Sequence, residues 1–266
     1  MNEPVFHDQR THVADLVIPC VDVAAGRTTE PSRIKGLDDP GDVAAVVGTY
    51  ANGAARKVFL DVFDPWDAAD AYLPALLRRL KQTGVHLLVS VGHGQLPSLL
   101  HAGGLFEAGA DVLSVSTGLI EEPGTVEAAV REFGAERLMG VINCRRTGPG
   151  QWGAYTHDGE EDAGTGAVDV ARQLADLDVG AILANSIDRE GTGRGFDLDL
   201  FHAIATASRL PVIASGGCGD LDHLHEALNA GDTTYVLVNN MLHKGQHSME
   251  EVRDHLLAHS SFATDR

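Results

Sequence analysis

The sequence predicts a single α/β domain, a closed (β/α)8 barrel of parallel strands wrapped by helices. Three observations predict it. Short apolar runs alternate with longer amphipathic stretches along the whole chain, eight such runs match the number that closes a barrel, and the two halves of the chain repeat each other. At 266 residues the chain has the length such a barrel commonly fills, and no Pro/Ser-rich linker divides it. The domain is therefore read as residues 1–266, with half-barrels at about 13–134 and 135–258.

LVIPCVDV (16–23) is continuously apolar and ends in an acid, as a buried strand reaching a solvent-facing rim would. KVFLDV (57–62), HLLVSV (86–91) and DVLSVS (111–116) complete the first half. RLMGVIN (137–143), AILANS (181–186), PVIAS (211–215) and TYVLVN (234–239) make the second. Helical spacing of apolar residues appears between them, as in AADAYLPALLRRLKQTG (68–84), TVEAAVREFG (125–134) and VDVARQLADLDVG (168–180). The repeat places Asp22 with Asn143, Asp61 with Asn185, Gly92 with Gly216 and Val115 with Val238, each 121 to 124 positions apart. VSVGHG (89–94) resembles IASGGCG (213–219), and EAGADVLSVS (107–116) resembles NAGDTTYVLVN (229–239). The loops at 24–40 and 147–166 read as irregular.

Composition narrows the function classes. The net charge of −18 repels nucleic acid and anionic membrane, although backbone dipoles can still hold a small anion. Cys20, Cys144 and Cys218 are widely spaced, odd in number and without a CxxC pair, which points to a reducing compartment rather than a disulfide frame. No run reaches about 18 apolar residues and the N-terminus has no signal core, so a soluble, cytoplasmic protein is expected, as a monomer or homodimer. His93, Cys144 and His157 fit no metal-ligand spacing, and neither a metal nor a cofactor is expected.

In a barrel of this kind chemistry sits at the carboxyl ends of the strands. SIDREGTGRGFD (186–197), ASGGCGDLDHL (214–224) and VNNML (238–242) follow the last three runs. Their glycines allow close backbone approach, and together they predict a phosphate site. By the repeat, GHG (92–94) and STG (116–118) occupy the matching places in the first half. A second anion site there would mean a ligand with a phosphate at each end. His93 stands where the twin has glycine, and it could bind an anion or act as a general acid or base. Arg145 lies close enough to the rim to contact a phosphate, and Trp66 could line the mouth or pack against a helix. His223 and Glu226, at helical spacing, are read as solvated.

IPCVDVAAGR (18–27), FLDV (59–62), SIDREGT (186–192) and PVIASGGCG (211–219) resemble the cyclase subunit of imidazole glycerol phosphate synthase, a barrel of histidine biosynthesis. The resemblance runs over essentially the whole chain. It implies a ribonucleotide substrate with two phosphates, no redox cofactor, and acid–base ring closure with ammonia delivered through the barrel floor by a glutaminase. Carried over, it makes Asp22 the first catalytic aspartate and Asp61 an active-site residue. It puts Gly191, Thr192, Ser215, Gly216, Gly217, Asn239 and Asn240 at one phosphate, and Gly94, Ser116 and Thr117 at the other. Asn185 and Ser186, with Arg145, are then substrate-pocket residues.

The departures carry information. Asn143 stands where the family has its second catalytic aspartate, and an amide does not exchange protons usefully at neutral pH. Glu30 replaces a loop lysine, and the four charged floor positions read Leu16, Arg56, Val112 and Ala181. The lost floor charges argue against a glutaminase partner. The leading reading is a diverged enzyme acting on a phosphorylated, ribosyl-type metabolite by cyclase, lyase or isomerase chemistry. Its catalytic set would draw on Asp22, Asp61 and His93, or on Asp22 with the amide of Asn143 as an orienter. A genuine cyclase of histidine biosynthesis and a non-catalytic phosphate-binding barrel remain as alternatives.

Overall fold

A computed structural model describes residues 5–6 and 13–259; the flanking parts of the predicted domain lie outside the described residues. The barrel strands are β1 (Val17–Ala24), β2 (Lys57–Val62), β3 (His86–Val91), β4 (Val112–Val115), β5 (Leu138–Gly148), β6 (Ala181–Ser186), β7 (Val212–Ser215) and β8 (Tyr235–Val238). They pair in parallel in chain order, β1 also pairs with β8 and β4 with β5, so the eight strands close into a barrel. Each strand is followed by a covering helix: α1 (Val43–Asn52), α2 (Leu73–Leu80), α3 (Leu99–Ala108), α4 (Pro123–Phe133), α5 (Ala167–Asp176), α6 (Leu198–Ser208), α7 (Leu221–Asn229) and α8 (Met249–His259). The predicted α/β barrel is the observed fold.

Local chemistry sets the helix starts. Asp42 accepts the Ala44 amide at 3.2 Å and also holds Arg79 at 2.6 and 2.9 Å, tying the start of α1 to α2. Asp220 accepts the Asp222 amide at 2.9 Å at the start of α7. Strand alternation divides two cores. Val58, Leu60 and Val62 of β2 face the helix layer, where Val46, Leu77 and Leu80 cover them. Phe59 instead joins Ile18, Cys20, Leu88, Met139, Leu183 and Ile213 inside the barrel. Truncating Leu60 or Leu77 to alanine should destabilise the fold by about 2–5 kcal/mol.

The floor differs from a ring of paired charges. Val112 and Ala181 belong to the interior apolar cluster, Leu16 is buried, and Arg56 is exposed. Lys57, the next residue on β2, is only 2% exposed; its Nζ lies 3.2 Å from Asp15 and 5.1 Å from the Tyr235 ring centre. Phe6 packs edge-on to the same Tyr235 ring at 5.7 Å. Burial lowers the Lys57 pKa, opposed by Asp15.

The 147–166 segment corrects the expected irregular loop. β5 runs on past the rim to Gly148 and pairs antiparallel with a strand at Gln151–Thr156, which pairs with another at Glu161–Gly166. Arg146 and Trp152 both bind Asp197, at 2.9 and 3.1 Å, and so fasten this hairpin to the loop after β6. In the 24–40 loop, Arg27–Thr28 forms a two-residue strand against β1, and Arg27 pairs with Asp39 at 2.7 Å.

Candidate active site

A cavity of about 240 Å³ opens at the carboxyl ends of the strands. In the first half, Asp22 and Asp61 are register partners on β1 and β2, strands that lie ~4.8 Å apart. Both line the cavity. Asn239 donates from Nδ2 to one Asp22 oxygen at 2.8 Å, and the Cys20 thiol donates to the other at 3.5 Å. Asp61 is pushed up to about 7 by burial, then by the negative charges of Asp158 and Asp22, against a hydrogen bond from Ser90. At neutral pH it therefore exists in both protonation states and can give or take a proton. Burial, with Asp22 and Asp61 beside it, also raises Cys20 well above the ordinary thiol range, so Cys20 stays a neutral donor.

In the second half the same register pairing joins Asn143 of β5 to Asn185 of β6. Asn185 donates from Nδ2 to Asn143 Oδ1 at 3.0 Å and to Glu190 at 3.3 Å. Asn143 is 6% exposed and lines the cavity. This pair carries no titratable group; it can orient a ligand but not exchange protons with it.

The loops also differ between the halves. After β7, Gly216 and Gly217 have φ of +89° and +102° and line the cavity, with Gly191, Ser215, Asn239 and Asn240 around them. The amides of Gly216, Gly217 and Asn240 have no hydrogen-bond partner among the described residues. After β4, by contrast, the amides of Ser116, Thr117 and Gly118 are turned onto the carbonyls of Gly94, His93 and Gly94 at 2.9, 3.4 and 3.1 Å. The Thr117 hydroxyl accepts the His157 amide at 3.0 Å.

His157 and Asp158 come from the turn of the hairpin that extends β5. Both hold positive φ, 49° and 54°, which aims the turn back over the first half. Asp158 reaches the cavity and pairs with Nδ1 of His93, itself at φ 61° between Gly92 and Gly94. The pairing holds the imidazole at the cavity wall and leaves Nε2 as its exchanging nitrogen.

The cavity thus gathers Asp22, Asp61, His93, Asn143, Asn185, Ser116, Gly191, Ser215, Gly216, Gly217, Asn239 and Asn240. Five expected site residues do not line it. Ser186 is fully buried behind the rim because β6 alternation turns it toward the helices. Thr192 is exposed, and its hydroxyl donates to the Arg189 carbonyl at 2.6 Å. Gly94 is buried beneath Ser116, its carbonyl spent on that turn, and Thr117 is fully buried. Arg145 lies over the Tyr155 ring, 5.0 Å from its centre, drawn off by the hairpin. Trp66 is buried and donates to the Gln95 carbonyl at 3.1 Å, a packing role. His223, expected to be solvated, accepts the Gly219 amide at 3.2 Å and steadies the loop after β7.

Sequence reasoning missed Glu190, Asp158 and Ser90. Glu190 lies inside the quoted SIDREGT run, where the glycines drew the weight. Asp158 precedes Gly159, a dipeptide that signals a turn between strands. Cys144 is buried with its thiol on the Ile142 carbonyl at 3.2 Å, and no group of three or more His, Cys, Asp or Glu side chains among the described residues could hold a metal ion. No helix among them is long and apolar enough to cross a membrane.

The model of one protein family, described as histidine biosynthesis protein, matches residues 16–248, from the residue before β1 to the one before α8. That span takes in all eight barrel strands and every wall of the cavity. A match of this extent, on a closed eight-stranded parallel barrel, makes the chain a member of the histidine biosynthesis protein family, whose members are enzymes.

Proposed function

We propose that this protein is an acid–base enzyme of the cyclase-type branch of its family, acting on a phosphorylated, ribosyl-type metabolite by cyclisation, elimination or isomerisation. The observation that carries this reading is the unequal pair of register partners: Asp22 with Asp61, but Asn143 with Asn185. Asp22, held by Asn239, is the base. Asp61, poised near neutrality beside it, is the acid that replaces the carboxyl absent at Asn143. The Asn185–Asn143 amides orient the substrate between the two halves. The unpartnered amides at Gly216, Gly217 and Asn240 would hold the phosphate. His93, paired to Asp158, is a further proton carrier at the first-half wall.

The reading departs from ammonia-dependent ring formation in two ways, both legible in the residues. The second carboxylate is an amide, and the floor carries Phe6, Tyr235 and a buried Lys57 in place of a ring of paired charges. Purified protein supplied with the formimino ribonucleotide of histidine biosynthesis and ammonium salt should yield no imidazole product. Ring closure at a rate typical of enzymes would overturn the divergence and restore the cyclase reading. Among phosphorylated ribosyl compounds tested for turnover, the true substrate should lose it in Asp22→Asn while still binding.

A further inference from the structure

We infer that the substrate carries one phosphate, not two, and presents a cationic nitrogen group to the first-half end of the cavity. This rests on the phosphate reading above and sharpens it. The first-half side of the cavity holds three carboxylates, Asp22, Asp61 and Asp158; Glu190 stands on the other side beside Asn185, and no lysine or arginine lines the wall. His93 is the one lining side chain able to carry positive charge, and Asp158 already engages it. A phosphate entering there would meet like charge in a recess walled by protein, where repulsion is screened far less than in water.

Backbone donors at that end are also fewer, those of His93 and Gly94 alone being without a partner among the described residues of the two turns. The amides of Ser116, Thr117 and Gly118 are spent on the carbonyls of His93 and Gly94, and the Thr117 hydroxyl is spent on His157. In the second half the amide of Asn240, which matches Thr117, is not, and those of Gly216 and Gly217 are open as well. What the first-half end does offer is acceptors. Ser116 is 8% exposed, lines the cavity, and its hydroxyl has no partner among the described residues. A hydroxyl beside carboxylates is an acceptor set for N–H donors, so an ammonium or amidinium group would be bound there by charge-assisted hydrogen bonds.

Three probes of equal chain length test this by calorimetry at pH 7.5 and 150 mM salt: pentyl phosphate, 5-aminopentyl phosphate and pentane-1,5-diyl bisphosphate. The aminoalkyl phosphate should bind about tenfold or more tightly than pentyl phosphate, and the bisphosphate more weakly than either. Asp158→Asn, at an exposed turn where folding is little affected, should shrink the amine preference severalfold and strengthen bisphosphate binding. Bisphosphate binding in the unaltered protein equal to or tighter than the aminoalkyl probe would overturn the inference while leaving the phosphate site intact. An unchanged probe order in Asp158→Asn would also overturn it. If pentyl phosphate does not bind at all, the phosphate reading itself falls, and this inference with it.

Discussion

The two halves of the barrel place the same positions at the same rim and fill them with different chemistry. On β1 and β2 the register partners are two carboxylates; on β5 and β6 they are two amides. The turn after β4 closes its amides on the carbonyls of His93 and Gly94 in the loop after β3, whereas Gly216, Gly217 and Asn240 after β7 and β8 leave theirs open. The paired carboxylates and the paired amides thus stand on opposite sides of one cavity. An internal repeat fixes where functional side chains stand, but not what each side does.

The largest effect expected from erasing this difference is at Asp22. Asp22→Asn makes both pairs free of the base and should lower turnover by about 10²- to 10⁴-fold. Steady-state kinetics would show the loss in kcat, with binding of the phosphate end little changed. A loss confined to KM would instead assign Asp22 to binding.

The glycine turns allow a sharper contrast. A Cβ at Gly217 would sit 2.2 Å from the Gly195 carbonyl oxygen, and one at Gly94 would sit 2.7 Å from the Ser116 backbone; both residues have positive φ. Either alanine variant should destabilise the protein by about 2–4 kcal/mol in urea unfolding. Only Gly217→Ala should also abolish binding of a phosphate monoester. Equal losses of affinity in the two variants would mean that both halves bind the anion.

Asn143→Asp would make the second half resemble the first. The new carboxyl is buried, with Asn185 as donor but Glu190 near, so stability at pH 8 should fall by about 1–3 kcal/mol. At pH 5, where the group takes up a proton, the loss should shrink. Denaturant titrations at the two pH values separate this charge effect from simple packing.

At Asp61 the sign of the expected effect is diagnostic. The folded pKa, raised to about 7, exceeds the ordinary carboxylate value. Its contribution to stability is therefore fully present below pH ~4 and lost as pH rises to about 7. Asp61→Asn should stabilise the protein by up to about 4 kcal/mol at pH 8 and by about 1–2 kcal/mol at pH 5, as thermal melts would show. If Asp61 is the acid of the reaction, wild-type turnover should decline above pH 7.

How far the sequence discloses this depends on what each segment buries. KVFLDV, HLLVSV and AILANS are strands from their first residue to their last, because the covering helices and the barrel interior bury both faces and leave an unbroken apolar run. DVLSVS is a residue too long at each end. Asp111 uses its carboxylate on the Leu87 amide and Lys81, and Ser116 has left the ladder for the turn. The β5 extension and its hairpin escaped because RRTG and EDAGTG are polar and small, and only the partner strand shows that they pair. Asp22, Asp61 and Asn143 were legible as strand-end residues. Asp158 was not, since its place depends on a turn folding back across the mouth. Gly94 and Thr117 were assigned by the repeat, and the turn that consumed their neighbours' amides is invisible in residue identity.

The mouth of the cavity has a consequence for traffic. Phe6, Tyr235 and the Lys57–Asp15 pair pack at the lower end, and the cavity opens at the carboxyl ends of the strands. Substrate arriving and product leaving there would share that opening. The hairpin turn bearing Asp158 stands at that opening, so its motions would set the rhythm of arrival and departure alike.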